Sequence, residues 1–298
     1  MFKKINQYLS LVKFSHTVFA LPFAMIGLTL GILHQLQVDS NWQWKSEFPF
    51  LLVKVLLCMV FARSAAMAFN RFLDRKFDAL NPRTAQREIP AGIISPNHAL
   101  TFTLINCLLF ILTTWFINTL VFYLSFVALF VVLFYSYTKR ITPLCHLVLG
   151  VGLSLSPIGA FLAVTAQFQL LPVLFSLIVF TWVSGFDIIY ALQDEEFDKE
   201  QKLYSIPAVL GKRNALNVSN LLHFSSAILV LIAGFYAEGS WLFWLGALVF
   251  IGLLLYQHLI VSPNDLSKVN MAFANTNGIA SIVFSLFAIS SFIIQHCL

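Results

Sequence analysis

The chain contains 298 residues, of which 59% are apolar and only 10% are charged, and its mean hydropathy is +0.84. This composition excludes an ordinary soluble domain and predicts an all-α polytopic membrane protein. The net charge of +5 is better explained by membrane topology and anionic lipid headgroups than by a nucleic-acid partner.

Nine stretches are long and apolar enough to be spanning helices, which need roughly 20 mostly apolar residues each. The windows are 16–37, 50–70, 98–118, 119–137, 145–166, 170–192, 216–236, 241–260 and 274–296. The third and fourth abut at Asn118 and Thr119, so a single broken helix is the alternative there. Two helices are favoured because the combined length is about twice one span. No low-complexity linker interrupts the sequence, so residues 1–298 are expected to form one integral membrane domain.

Lysine and arginine residues alternate between the two ends of the predicted helices. They are concentrated in the N-terminal segment and in the connections after the second, fourth, sixth and eighth helices. The opposite connections contain only Lys45, apart from Lys54 at the start of the second helix. Because basic residues favour the cytoplasmic side, the N-terminus and the charged connections are predicted to be cytoplasmic, in a bacterial-type inner membrane.

The connection after the second helix begins with an acidic motif. Asn70, Asp74 and Asp78 are spaced i, i+4, i+8, so on a helix they form one stripe. Two carboxylates at this spacing repel, and Mg²⁺ would offset the repulsion, since it combines one or two carboxylates with phosphate oxygens. Arg83 and Arg87 follow in a loop and could clamp a diphosphate. The alternative is a charged helix end with internal salt bridges.

A second acidic run closes the sixth predicted helix. On a continuous helix Asp187, Tyr190 and Asp194 share one side, with Asp198 nearby. Asp187 lies deepest, and carboxylates within the membrane are functional candidates. Lys202 follows the run and could contact a phosphate. Alone, the run would be an acidic helix end. Together with the first motif on the same membrane side, it indicates two metal ions that hold one diphosphate.

The fourth helix ends in Tyr135, Lys139 and Arg140, which are either aromatic and basic residues of a helix end or substrate contacts. Arg63 lies seven residues before the first motif, on the same helix face but deeper. An unpaired arginine within the membrane is costly, so Arg63 is predicted to lie near Asp187 or near a substrate. His16 is interpreted as a packed or interfacial residue.

Taken together, these motifs resemble the UbiA superfamily of intramembrane prenyltransferases. The resemblance rests on N-x-x-x-D-x-x-x-D from Asn70 to Asp78, on YALQDEEFD and on YSYTKR, and it covers essentially the whole chain. The sequence looks most like the 4-hydroxybenzoate polyprenyltransferase branch. NPRTAQREIPAG and GFDIIYALQDEEFD look closer still to the subgroup associated with menaquinone made through futalosine. DEEFD replaces the denser aspartate run of the ubiquinone type, which leaves the acceptor open.

The resemblance implies the UbiA-type fold, with about nine helices around a central cavity that the acidic motifs cap on the cytoplasmic side. It implies Mg²⁺-dependent transfer of a polyprenyl group from a polyprenyl diphosphate to 4-hydroxybenzoate or a dihydroxynaphthoate in quinone biosynthesis. The implied metal ligands are Asn70, Asp74, Asp78, Asp194 and Asp198. The implied diphosphate-binding residues are Asn70, Arg83, Arg87, Lys139, Arg140 and Lys202. Asp187 and Tyr190 join the four motif aspartates as catalytic candidates, and Tyr135 and Arg63 are assigned to the acceptor or prenyl pocket.

Two other kinds of protein fit part of the pattern. One is a UbiA-type enzyme with another acceptor, such as heme or a chlorophyll precursor. The other is a secondary transporter in which Arg63 and Asp187 line a substrate path, but this does not explain two matched acidic pairs on one side. A phosphotransfer enzyme of the CDP-alcohol class would add D-G and G-x-x-x-D contexts that the sequence lacks. No protein partner is predicted.

Overall fold

The structure is a computed structural model and describes residues 2–12, 19–39, 42 and 44–297, so His16 lies outside the described residues. Eleven α-helices account for most of the described chain. They are α1 (Phe2–Leu11), α2 (Leu21–Val38), α3 (Trp44–Leu80), α4 (Pro96–Trp115), α5 (Thr119–Thr138), α6 (Cys145–Thr165), α7 (Leu170–Ala191), α8 (Glu195–Glu200), α9 (Ile206–Tyr236), α10 (Trp241–Ile260) and α11 (Asn277–Cys297). A 3₁₀ turn (Leu192–Asp194) precedes α8, and a π-helical turn (Met271–Thr276) precedes α11.

Nine segments of the described chain are long and apolar enough to span a membrane, as the sequence predicted. The abutting windows form two separate helices, α4 and α5, as favoured. Asn118 caps α5: its side-chain oxygen accepts a hydrogen bond from the Val121 N–H at 2.9 Å. The Asn118 amide also donates to the Leu162 carbonyl at 2.9 Å, which ties this break to the end of α6.

One helix extends well beyond its apolar window: α3 continues to Leu80, past the predicted end at residue 70. α9 begins at Ile206, but Gly211 (φ 77°, ψ 163°) is not helical and kinks it, so its uninterrupted part begins after Gly211, close to the predicted start at residue 216. Apolar windows miss such extensions because a helix forms the same backbone hydrogen bonds whether its side chains are polar or apolar. The first acidic motif therefore lies entirely on α3.

The core of the fold is built around α7. Phe175, Trp182 and Phe186 of this helix are at most 1% exposed and pack in one cluster with aromatic residues of α2, α10 and α11. The Trp182 indole N–H donates to the side-chain oxygen of Asn277 at 2.8 Å, and the Gln257 amide donates to the same oxygen at 2.8 Å. These bonds join α7, α10 and α11 away from water. The second acidic motif thus follows a firmly packed helix.

A cavity of about 380 Å³ lies among α3, α4, α5 and α6. Its wall is mostly apolar, and it includes both Arg63 of α3 and Tyr135 of α5. An apolar cavity that also reaches an arginine and a phenol can hold a hydrocarbon chain next to a polar group.

The short helix α1 was not predicted from the sequence. Leu11 is fully buried, and the ring of Tyr8 lies 4.8 Å from that of Phe102 on α4, measured between centroids. The Ser10 hydroxyl donates to the carboxylate of Glu88 in the loop between α3 and α4. α1 therefore packs against the loop that carries Arg83 and Arg87.

α2 and α6 approach each other closely at Gly27, where an added Cβ would lie 1.9 Å from the Pro157 carbonyl oxygen. We expect Gly27→Ala to lower the free energy of unfolding by about 1–3 kcal/mol, because this overpacking outweighs the better helix propensity of alanine. Thermal unfolding in detergent measures the effect. Gly252→Ala in α10 is the matched control, since nothing lies within 4 Å of its added Cβ. Equal melting temperatures for the two variants would contradict the prediction.

Candidate active site

The two acidic motifs meet through the loop between α3 and α4. Arg83 in this loop donates to both carboxylate oxygens of Asp194, at 3.1 Å from Nε and 2.5 Å from Nη2. It also donates to the Tyr190 hydroxyl at 3.0 Å, and Asn81 donates to Asp194 at 3.2 Å. Burial alone would lower the pKa of Arg83, but Asp194 and Tyr190 raise it above its usual value. Arg83 is therefore a permanently charged link between the motifs.

Asp74 pairs with the end of α5. Arg140 Nη2 donates to Asp74 Oδ1 at 2.7 Å, and the Asn70 amide donates to Oδ2 at 3.1 Å. The guanidinium of Arg140 is held further by the Ser136 carbonyl at 2.9 Å. The Asp74–Arg140 pair therefore connects the first acidic motif to the end of α5, whose residues the sequence suggested as possible substrate contacts.

Asp78, one turn further along α3, has a side chain that is only 8% exposed. Arg87 from the loop donates to its Oδ1 at 2.7 Å, and Arg71 Nη1 lies 3.9 Å from its Oδ2. The Thr84 hydroxyl donates to the Asp78 backbone carbonyl at 3.0 Å, which fixes the start of the loop against the helix end.

Asp198 is the most deeply buried of the four motif aspartates, with no exposed side-chain surface. Lys139 Nζ lies 2.7 Å from its Oδ1. Burial alone would lower the pKa of Lys139, but Asp198 raises it above its usual value. A raised lysine pKa means that Lys139 stays charged at neutral pH, and that the contribution of this charge to stability is lost only as the pH rises through that pKa.

The four aspartates thus pair with basic residues from other elements of the fold. This arrangement differs from the alternative of salt bridges within one helix end. Lys202, the remaining basic residue assigned to the diphosphate, is exposed in a left-handed turn with φ 54° after α8. Its proposed role stays a prediction, as do the roles of the other site residues.

The donor atoms fit Mg²⁺ bound together with a diphosphate better than a bare metal ion. In the described part of the chain, no group of three or more His, Cys, Asp or Glu side chains could hold a metal by itself. The buried Oδ2 atom of Asp78, however, accepts no hydrogen bond from any described residue. Carboxylate oxygens of this kind are hard ligands, and Mg²⁺ readily combines them with phosphate oxygens.

The second motif is not one continuous helix. α7 ends at Ala191, a 3₁₀ turn carries the chain through Asp194, and α8 begins at Glu195. Asp194 has φ −102° and ψ 2°, outside the helical range, so the expectation of one continuous helix that brings Asp194 above Asp187, with Asp198 nearby, was wrong. A 3₁₀ turn is tighter than an α-helix and rotates the following residues to another face.

Arg63 and Asp187 do not form the suggested pair among the described residues. Asp187 Oδ2 lies 2.7 Å from Nδ1 of His146 on α6. Arg63 is instead part of the wall of the 380 Å³ cavity, as is Tyr135.

Three polar residues of the site were not assigned to it from the sequence. Arg71 is only 4% exposed and lies beside Asp78. Its spacing of seven residues from Asp78 puts both on one helix face and could have revealed it. The only indication for Asn81 in the sequence is its position next to Pro82 at a helix end. His146 could have been noticed as an ionisable residue in an apolar window.

Residues 15–284 match the UbiA prenyltransferase family. The chain belongs to this family. It is 30% identical to the 4-hydroxybenzoate octaprenyltransferase of Tolumonas auensis over 246 residues. The aligned region covers 82% of this chain and 86% of the relative. The protein of the same name from Aliivibrio fischeri is also 30% identical, with coverage of 78% and 81%. Family membership and the spanning helices confirm that the chain is a prenyltransferase and an integral membrane protein.

Solved structures of UbiA homologs confirm the predicted fold. The apo structure of a UbiA homolog from Aeropyrum pernix K1 has a TM-score of 0.76 and 26% identity, covering 95% of this chain and 98% of that one. A UbiA homolog from Archaeoglobus fulgidus bound to DMAPP and Mg²⁺ has a TM-score of 0.74 and 20% identity, covering 97% and 99%.

Proposed function

We propose that this enzyme transfers a polyprenyl group from a polyprenyl diphosphate to an aromatic hydroxy acid in quinone biosynthesis, with Mg²⁺ as cofactor. The supporting observation is a site of interlocked acidic and basic side chains beside an apolar cavity. The names of the relatives support 4-hydroxybenzoate as the acceptor. The Archaeoglobus fulgidus homologs bound to Mg²⁺ with DMAPP or GPP support the donor and the metal.

In the proposed substrate complex, the ion pairs of the free enzyme separate, and each charged side chain pairs with the metal or with the diphosphate instead. The motif aspartates and Asn70 hold Mg²⁺, while basic side chains turn from the carboxylates to the diphosphate oxygens. Those basic residues are Arg83, Arg87, Lys139, Arg140 and, at the exposed edge, Lys202. Pairing in the free enzyme keeps the carboxylates from repelling each other, and the exchange keeps every charge paired when the substrate is bound.

The transfer itself follows from this arrangement. The metal, when bound, supplies a Lewis acid that lowers the energy of the departing diphosphate. Arg83 and Arg87 stabilise the same charge through hydrogen bonds as the allylic C–O bond breaks and its electron pair leaves with the diphosphate. The ring carbon ortho to the acceptor hydroxyl then bonds to the allylic cation, and the Asp187 carboxylate accepts the ring proton. The apolar cavity keeps water from the cation.

We propose that the prenyl tail occupies the cavity among α3 to α6, and that Arg63 binds the carboxylate of the aromatic acid with Tyr135 nearby. A guanidinium forms bidentate hydrogen bonds with a carboxylate, so Arg63 gives a physical reason for an acidic acceptor. The distribution of basic residues supports a bacterial inner-membrane enzyme with its N-terminus and site loops in the cytoplasm.

The proposal is tested with the purified protein in proteoliposomes, a long-chain prenyl diphosphate, Mg²⁺, and 4-hydroxybenzoate in competition with 1,4-dihydroxy-6-naphthoate. We expect a prenylated aromatic acid and released diphosphate, with 4-hydroxybenzoate preferred. Arg63→Leu should raise the KM of the acid and leave the KM of the prenyl diphosphate unaltered. Sole use of the naphthoate would refute 4-hydroxybenzoate as the acceptor. Metal-independent solute uptake without prenyl transfer would favour a transporter instead.

A further inference from the structure

A second polar pair lies behind the predicted metal and diphosphate residues. His146, in the first turn of α6, is 5% exposed, and Nδ1 of its ring lies 2.7 Å from Oδ2 of Asp187 near the end of α7. The two residues lie 41 positions apart in the chain, so the pair depends on the packing of α6 against α7. Neither residue belongs to the proposed metal or diphosphate set.

The other ring nitrogen determines the direction of this hydrogen bond. The backbone N–H of Ile206, at the start of α9, donates to His146 Nε2 at 3.4 Å. A neutral imidazole has one acceptor nitrogen and one N–H, so an accepting Nε2 places the proton on Nδ1. Nδ1–H therefore donates to Asp187 Oδ2. The Ile206 N–H cannot turn away, because Ser205 caps α9 by accepting a hydrogen bond from the Ala208 N–H at 3.2 Å.

Asp187 is more accessible than its neighbours on α7. Its side chain is 17% exposed, whereas Phe186 and Ile188 are at most 1% exposed. Its partner His146 lies three residues, about one helical turn, before Leu149 of α6, which lines the prenyl cavity. Asp187 thus lies near the prenyl cavity and at the end of the helix that leads to Asp194, where an allylic cation and an aromatic ring would meet.

We infer that His146 is a positioning residue that fixes Asp187 for removal of the ring proton, an inference that rests on the proposed function. With Oδ2 held by Nδ1–H, Oδ1 is the oxygen that accepts the proton. The C–H electron pair returns to the ring and restores aromaticity, and Asp187 becomes neutral. Fixed hydrogen bonds to a reacting group cost no reorganisation during the reaction, which is why such a contact accelerates proton transfer.

The competing interpretation is that the pair only ties α6, α7 and α9 together. Ser219→Ala provides a matched control, because the buried Ser219 hydroxyl on α9 donates to the Gly185 carbonyl on α7 at 2.7 Å without contact to Asp187. A purely structural role predicts similar losses for Ser219→Ala and His146→Leu. A positioning role predicts a specific defect in proton removal for His146→Leu alone.

The experiment measures turnover of the aromatic acid that the wild-type enzyme prenylates, with and without deuterium at the ring positions ortho to its hydroxyl. His146→Leu should lower kcat by about 10-fold, the size expected when a supporting contact of a reacting group is lost. The KM of the prenyl diphosphate should not change. The deuterium isotope effect on kcat should rise in His146→Leu, because proton removal becomes slower than the other steps. His146→Asn keeps an N–H donor near the position of Nδ1 and should recover most of the activity.

Unchanged turnover in His146→Leu would overturn the inference, and so would a loss equal to that of Ser219→Ala without any change in the isotope effect. Asp187→Asn should lower kcat by about 100-fold, in the range of a lost general base. A wild-type enzyme that prenylates neither aromatic acid would refute the proposed function together with this inference. Wild-type turnover with an unaffected His146→Leu variant refutes the inference alone.

Discussion

Asp194→Ala and Asp74→Ala will each abolish Mg²⁺-dependent prenyl transfer and leave a folded protein in the membrane. We expect turnover to fall by at least about 10³-fold, since removal of even one stabilising contact to a developing charge costs 10²–10³ in rate. Asp194 receives two hydrogen bonds from Arg83, so its loss removes a proposed metal ligand and releases a guanidinium from its position. The loss of Asp74 likewise removes a proposed metal ligand and releases the guanidinium of Arg140.

The measurement is release of diphosphate and formation of prenylated acid in proteoliposomes, with thermal unfolding as the control for folding. Asp194→Asn keeps the hydrogen-bonding shape and removes the charge, so it should be nearly as inactive as Asp194→Ala. Glu196→Ala is the matched control, because Glu196 lies two residues away on α8 with a side chain that is 88% exposed. Near wild-type turnover of either aspartate variant would eliminate that residue from the site.

The local part of this site could be predicted from the sequence. The i, i+4, i+8 spacing puts Asn70, Asp74 and Asp78 on one stripe of any helix, and α3 is one continuous helix through all three. The same reasoning failed after Ala191, where a 3₁₀ turn interrupts the helix. The 3.6-residue periodicity describes a regular helix and does not reveal where the helix changes to a tighter one.

The choice of ion-pair partners could not be predicted in this way. Asp74 pairs with Arg140 across 66 positions, and Asp194 pairs with Arg83 across 111 positions. Arg75, the basic residue next to Asp74 in the sequence, lies on another helix face, and its guanidinium donates to the Phe72 carbonyl. Such pairings depend on how the loop after α3, the end of α5 and the end of α7 pack against one another. The same long-range packing placed His146 beside Asp187 and put Arg63 elsewhere.

The free enzyme neutralises its own charges before any substrate arrives. A buried carboxylate without a counterion costs several kcal/mol, and two carboxylates on one helix face also repel. Basic residues from the 81–95 loop and from the end of α5 offset both costs. These residues can later turn to a diphosphate only if metal ions replace them at the carboxylates. Metal and diphosphate are therefore expected to bind cooperatively, since either one alone would leave charges of one sign unpaired.

Lys139→Met will destabilise the protein and inactivate it, and the two effects can be separated with a second substitution. The Asp198 carboxylate has no exposed surface, and Lys139 lies 2.7 Å from it. Loss of the ammonium leaves a buried carboxylate without its counterion, which costs about 3–5 kcal/mol. Lys139→Met/Asp198→Asn removes that charge as well and should recover most of the lost melting temperature. It should remain inactive, because both a proposed diphosphate contact and a proposed metal ligand are gone.

Lys199→Met is the matched control, since Lys199 pairs with Glu195 at 2.5 Å on α8 but its own side chain is 51% exposed. Exposed pairs contribute at most about 1 kcal/mol, so this variant should keep both its stability and its turnover. Thermal unfolding in detergent and the prenyl-transfer assay measure the two properties on the same preparations. A stable Lys139→Met variant would show that Asp198 does not depend on Lys139 for its charge. If the double variant were active, the assignment of Lys139 and Asp198 to the site would be wrong, because restored packing alone cannot supply a metal ligand or a diphosphate contact.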